Sequence, residues 1–363
     1  MKKNNDSEEK TVNTKETKKE SSDILYFGLD LGTFQSALVA SSGLRLNVGS
    51  VVGWPKDFIS YKLFNKQIVF GEECLKNRPS LEVVYPLENG VVKYRNTGVV
   101  KKQEEERVAS AAEELIRHLL SLAEAREGQK IYAVVGSPAR ASMEDKQAII
   151  SASEGLVDSI LVVSEPFLVA YSLGIYGFAI IVDIGAGTLD ICRMHGTIPD
   201  EEDQRTLYIA GNEIDKKLNE LLEEKVSGIR LTPSLSRKIK EEYGFVGEGQ
   251  ETVNVDFYVD ERLETIDIAN ELKEACSIII PEICDNIREL VVSFDPEYMD
   301  ELKKNIVLAG GCSQIKGLAH EIETNLSDLG SVRINVIDNP IFAGAVGGLT
   351  LAQEMPIEEW EQV

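Results

Sequence analysis

Two short stretches of the chain carry the residue types needed to handle phosphate. Asp30-Leu31-Gly32-Thr33 closes an apolar run that starts at Ile24, and Asp183-Ile184-Gly185-Ala186-Gly187-Thr188 closes one that starts at Ala179. Glycine lets a backbone approach a polyanion, and successive N–H groups in a tight turn make an anion-binding nest. An aspartate before such a turn repels phosphate, so its use there calls for a hydrated divalent cation between the two. A single Asp-x-Gly turn is more often an ordinary turn. Two matched copies, about 150 residues apart, point to a duplicated device in two similar lobes. If the lobes face each other, Asp30 and Asp183 approach one cation, largely through water. Gly32, Thr33, Gly185 and Gly187 then offer backbone N–H groups to β- and γ-phosphates.

Two further features join this constellation. Gly310-Gly311 follows the buried run Asn305–Ala309, and such a pair lets an adenosine lie against the backbone. Glu165 stands at a helix start beside Pro166, where a carboxylate can orient water for in-line attack on a γ-phosphate. Spacing alone equally allows a turn at the glycines, and favours a plain dipole-stabilised first-turn residue at Glu165. There is no Gly-x-x-x-x-Gly-Lys-Ser/Thr loop and no Gly-x-Gly-x-x-Gly fingerprint, so neither a P-loop nor a dinucleotide fold is indicated.

The elements that position these residues alternate along the chain. Each aspartate ends one strand of a hairpin whose second strand is again apolar, Ser36–Ala40 and Leu189–Met194. A loop over Ser50–Asp57 leads into short alternating strands near Tyr61–Phe64 and Gln67–Phe70. An amphipathic helix carries Val108, Ala112, Leu115, Ile116, Leu119 and Leu122 on one face. Buried strands are expected at Ile131–Val135, Leu161–Val163 and Leu207–Gly211, and an alternating one at Val253–Val259. Helices are expected after the capping pattern Ser142-x-x-Asp145, from Glu165 to Tyr171, and at Ile214–Lys225, Pro233–Tyr243, Ala269–Leu290, Gly317–Asn325 and Gly344–Gln353. Strands followed by helices throughout mean an α/β fold.

Bulk properties narrow the function. With 363 residues the chain can hold two cores, and 43% hydrophobic with 27% charged residues is ordinary for a globular protein. A net charge of −23 argues against a nucleic-acid partner and against docking on anionic lipid. In a self-associating protein it would make assembly sensitive to salt and divalent cations. Cys74, Cys192, Cys276, Cys284 and Cys312 are scattered without a C-x-x-C pair, which suits a reducing cytoplasm. His118, His195 and His320 lie in unrelated segments, which disfavours a triad or a histidine metal site. No run approaches the ~18 apolar residues of a spanning helix, so no direct membrane insertion is expected. Residues 1–22, charged and polar, read as a disordered extension.

Asp30-Leu-Gly-Thr, Asp183-Ile-Gly-Ala-Gly-Thr and Leu308-Ala-Gly-Gly resemble the phosphate-1, phosphate-2 and adenosine motifs of the actin, sugar-kinase and heat-shock-chaperone ATPase superfamily. Within it the chain is most similar to the magnetosome-associated branch of the bacterial actins, from about residue 24 to 355. The segments that carry this are Ser50–Asp57, Gly136–Ser142, Val163–Phe167, Phe245–Gly247 and Ser293–Tyr298. The resemblance implies an actin-like ATPase fold, with two mixed sheets flanked by helices, inserted subdomains and a cleft between the lobes. It implies ATP or ADP with Mg2+. Asp30 and Asp183 match the magnesium site, and Glu165 matches the residue that positions or activates the hydrolytic water. Gly211 and Asn212 match the ribose side, Lys240 and Glu241 the purine edge. Phe34, Ala186, Thr188 and Cys312 stand within or directly beside these motifs as further nucleotide contacts. Phe34-Gln35 departs from the small or polar residues usual after Asp-Leu-Gly-Thr, which would alter nucleotide affinity or rate.

The expected organisation is lobe I over 23–173, with an insertion at about 55–90 and the segment 341–363 packing back on it. Lobe II covers 174–340, with an insertion at about 211–284. The implied function is a cytoplasmic, ATP-dependent homopolymer that positions magnetosomes in a chain through an adaptor protein on the vesicles. The rivals are an MreB-type cell-shape actin, a small-molecule kinase and a chaperone ATPase. No apolar N-terminal membrane segment supports the first and no large insertion the second. The chain ends about ten residues after its last expected helix, which leaves no substrate domain for the third.

Overall fold

The computed structural model describes residues 24–93, 102–123, 125–248 and 252–360; the expected 1–22 extension lies outside them. Two five-stranded mixed sheets dominate. The first runs in the order Ser159–Ser164, Lys130–Ser137, Ile24–Leu31, Gln35–Ala40, Arg45–Gly49. The second runs Gln204–Leu207, Leu189–Met194, Ala179–Ile184, Ile306–Ala309, Ile334–Val336. In each, the aspartate-bearing strand is antiparallel to the next strand in sequence and parallel to a later one. The hairpins close with Leu31 opposite Ser36 and Ile184 opposite Leu189. Strands covered on both faces read as continuous apolar runs, and Ile180, Ile181, Val182 and Ile184 are all fully buried.

Helix Glu165–Ser172 lies between the lobes and is apolar all round for that reason. Its Leu168 packs with Tyr132 and Val134 of the first lobe, while Val169 and Ala170 pack with Ala179, Ile181 and Cys192 of the second. Helix Ala343–Glu354 crosses strand Ile24–Leu31 and the Glu165 helix. Its Ala-Gly-Ala-Val-Gly-Gly start is a poor helix sequence explained by proximity. A Cβ on Gly28 would sit 1.8 Å from the Ala345 carbonyl oxygen, and one on Gly347 1.8 Å from that of Leu168.

Four local expectations are corrected. Tyr61–Phe64 belongs to helix Phe58–Phe64, not a strand. Asp57 caps it by accepting from the Ile59 and Ser60 N–H groups, and Ser60 Oγ accepts from Asp57 N–H; this capping box overrides the alternating pattern. Within the expected loop, Val52–Pro55 is the middle strand of a small sheet with Val69–Phe70 and Leu81–Val84. The strand expected at Leu207–Gly211 lies earlier, at Gln204–Leu207, because Gly211 and Asn212 N–H groups bond to Gly185 and Ala186 oxygens and start a helix there. The helix expected over Ala269–Leu290 breaks into Ala269–Ser277 and Ile280–Val292, where Pro281 withholds an N–H. A separate hairpin pairs Asn254–Val259 with Arg262–Asp267. All five cysteines are buried and free.

Candidate nucleotide cleft

Both Asp-Gly-Thr turns open into one cleft of about 240 Å³ between the lobes. Asp30, Gly32, Thr33 and Phe34 line it from one side; Asp183, Gly185, Ala186, Gly187 and Thr188 line it from the other. Glu165 reaches it from the central helix, while Gly310, Gly311, Cys312, Lys240 and Glu241 line the remaining wall. Gly211 and Asn212 are not among the lining residues. Their N–H groups hold Gly185 and Ala186 oxygens at 3.1 and 2.8 Å, so they shape the second turn from behind. Lys240 is also committed: its ammonium donates to Gly211 oxygen at 2.6 Å and lies 2.7 Å from Asp215 Oδ1.

The two turns nearly touch. A Cβ on Gly187 would lie 2.4 Å from Thr33 Oγ1 and 2.9 Å from Asn89 Cα, so only glycine fits while the lobes stay this close. Thr33 Oγ1 in turn accepts from Gly90 N–H at 2.9 Å. Below the turns, Asp190 Oδ1 joins the lobes by accepting from Ala139 N–H at 2.8 Å and Thr206 Oγ1 at 2.5 Å. Asp190, Arg237 and the Asn89-Gly90 bend are functional neighbours that the motifs did not reveal. Only Asp190 left a trace in the sequence, as a lone acid inside an apolar strand.

Four acids share this buried interior. Burial pushes the Asp30 and Asp190 carboxyls up to about 6, although hydrogen bonds from Thr206, Ala139 and Thr188 partly offset it at Asp190. Asp183 and Glu165 are held well above the ordinary range, first by burial and then by the neighbouring carboxylates. Glu165 Oε1 is buried without a hydrogen-bond partner. Among the described residues, no three His, Cys, Asp or Glu side chains converge as direct metal ligands. The two carboxylates that line the cleft beside the turns, Asp30 and Asp183, fit magnesium, which keeps several waters and takes one or two carboxylates plus phosphate oxygens.

These raised values have a stability consequence. A carboxyl whose folded pKa lies above its unfolded value stabilises the fold only while protonated, so stability falls as pH rises through the interval between them. For Asp30 and Asp190 the interval runs from 3.8 to about 6, and Asp183 is shifted in the same direction. The nucleotide-free protein in chelator is expected to melt several degrees lower at about pH 7.5 than at about pH 5.5, with Asp183→Asn flattening the slope. Scanning calorimetry across that range measures it, and equal slopes in the two proteins would contradict the assignment.

The comparisons with known proteins agree with this geometry. Residues 25–359 match the family model described as MreB/Mbl protein. Actin-like protein MamK of Paramagnetospirillum magneticum (strain ATCC 700264 / AMB-1) is 37% identical over 339 residues, covering 93% of this chain and 95% of that protein. Actin-like protein MamK of Magnetospirillum gryphiswaldense (strain DSM 6361 / JCM 21280 / NBRC 15271 / MSR-1) is 37% identical over 93% of this chain and 92% of its own length. Among solved structures, the MamK double helical filament has a TM-score of 0.87 at 37% identity, covering 92% of this chain and 100% of that one. A non-polymerising mutant of MamK bound to AMPPNP has a TM-score of 0.70 at 38% identity, covering 91% and 99%. The present arrangement of the chain is thus nearer to that of the filament subunit. With the family model matched over nearly its whole length, the chain belongs to the MreB/Mbl family of actin-like proteins.

Proposed function

We propose that the chain is an ATPase that polymerises with Mg-ATP into a homopolymeric filament and disassembles after hydrolysis. In the cell, this filament would lie in the cytoplasm along a chain of magnetosomes, linked to the vesicles by an adaptor protein. The observation that carries the reading is the whole-length likeness to the MamK filament subunit, in a chain whose two lobes meet at a phosphate-type cleft. An MreB-type shape role is the second reading, favoured by the family model alone.

In this reading the N–H groups of Gly32, Thr33, Gly185, Ala186, Gly187 and Thr188 hold the phosphates from both sides. Asp30 and Asp183 hold a hydrated magnesium, which would neutralise the crowded carboxylates and the phosphate oxygens. Glu165 Oε1 accepts a hydrogen bond from the attacking water. Gly310, Gly311, Cys312 and Glu241 flank the nucleoside; Lys240 supports that wall through Gly211 and Asp215, and Asn212 buttresses Ala186. Closure of the lobes presents the surface on which the next subunit docks head to tail, and loss of the γ-phosphate loosens it.

Light scattering with Mg-ATP, followed by negative-stain microscopy, tests the proposal. Filaments are expected, with an onset that shifts with salt because the subunit carries a charge of −23. Absence of filaments under every nucleotide condition would overturn the cytoskeletal reading.

A further inference from the structure

We infer that Phe34 and Arg237 form a latch across the mouth of the cleft and control how fast nucleotide leaves. This rests on the nucleotide-binding part of the proposal above. Phe34 belongs to the first lobe and follows Thr33 in the phosphate turn; Arg237 belongs to helix Pro233–Tyr243 of the second lobe. The Arg237 guanidinium carbon lies 3.7 Å from the centre of the Phe34 ring, and both side chains line the cleft. A cation stacked on an aromatic face in a half-enclosed site is a favourable contact.

Each half of the contact is fixed to its own lobe. Arg237 donates to Asn212 Oδ1 at 3.0 Å and lies 3.4 Å from Asp215 Oδ2, an acid that also holds Lys240. These partners hold the guanidinium to its own lobe while the Phe34 ring lies against it. On the opposite side, Ser50 N–H donates to Phe34 oxygen at 2.8 Å, and Ser50 Oγ donates to Gly32 oxygen at 2.6 Å. Ser50 is itself buried, so the turn bearing Phe34 cannot swing freely. With both ends anchored, the ring and the guanidinium must separate when the lobes part. The contact therefore opposes cleft opening directly.

Release of a fluorescent ADP analogue, chased with unlabelled ADP in stopped flow on the full chain, tests the latch. Phe34→Ala and Phe34→Leu are expected to release it roughly 3- to 20-fold faster, and Phe34→Tyr, which keeps the ring face, to accelerate release less than either. Arg237→Gln is expected to accelerate release to a similar degree. The double variant should release no faster than the faster single one, because either change breaks the same contact. Effects that multiply in the double variant would mean that Phe34 touches the nucleotide itself, and would overturn the latch. So would a Phe34→Leu rate equal to that of the unaltered protein. If the unaltered chain binds no ADP analogue, the nucleotide reading falls and the latch falls with it.

Discussion

Glu165→Ala is expected to slow phosphate release by about 100-fold or more while Mg-ATP still drives assembly. On the proposed reading, assembly needs the lobes closed around the phosphates, which is the work of the two turns, and Glu165 belongs to neither. Hydrolysis, if the proposal holds, needs an acceptor aimed at the water, and Glu165 lines the cleft with its Oε1 buried and without a partner in the protein. The side chain also packs closely on the adjacent strand: a Cβ on Gly136 would come within 2.9 Å of Glu165 Cγ. Glu165→Gln keeps the shape and part of the hydrogen bonding, and should fall between the two. Single-turnover phosphate release, run beside a sedimentation assay, separates chemistry from assembly. An unchanged hydrolysis rate in Glu165→Ala would remove the residue from the mechanism.

The second large effect is structural. Gly28→Ala is expected to lower folding stability by about 3 kcal/mol or more, enough to prevent soluble accumulation of many domains. The added methyl would meet backbone atoms, Ala345 oxygen at 1.8 Å and Leu349 nitrogen at 2.4 Å, and neither can rotate away. Relief requires helix Ala343–Glu354 to lift off strand Ile24–Leu31, which carries Asp30, so the proposed nucleotide site would be damaged too. Gly177→Ala is the matched control, since a methyl added there would have nothing within 4 Å. Chemical denaturation compares the three proteins. Equal midpoints for Gly28→Ala and Gly177→Ala would show that the helix seat yields easily.

How much of this was legible before the structure depends on the range of the interaction responsible. The Asp-Gly-Thr turns were readable because each is a local pattern, and repetition removed the ambiguity that a single copy carries. The α/β class followed from apolar runs of strand length alternating with helical periodicity. The segment Tyr61–Phe64 misled because its alternation is real but the Asp57–Ser60 capping box decides the backbone. Arg237 was invisible for the opposite reason. Its meaning comes from Phe34, about 200 residues earlier and in the other lobe, and no local rule connects them. Asp190 lies between these cases: an acid among Ile191, Cys192 and Leu189 announces a buried partner, but only the fold names Ala139 and Thr206.

The repeated sheet pattern has a consequence for direction. Asp30 and Asp183 hold equivalent places in the two sheets, each one residue before the end of the strand flanked by one antiparallel and one parallel neighbour. A clamp built from two equivalent halves can grip a phosphate, but by itself it cannot distinguish the face that water attacks from the face that the leaving group occupies. That distinction must come from residues without a counterpart in the other half. On the proposed reading, Glu165 breaks the equivalence at the water side, because helix Ala343–Glu354, which follows the last strand of the second sheet as the Glu165 helix follows that of the first, has no acid in its first turn, and helix Pro233–Tyr243 breaks it at the nucleoside side. Handedness of the reaction thus resides in a few unpaired additions to a duplicated frame.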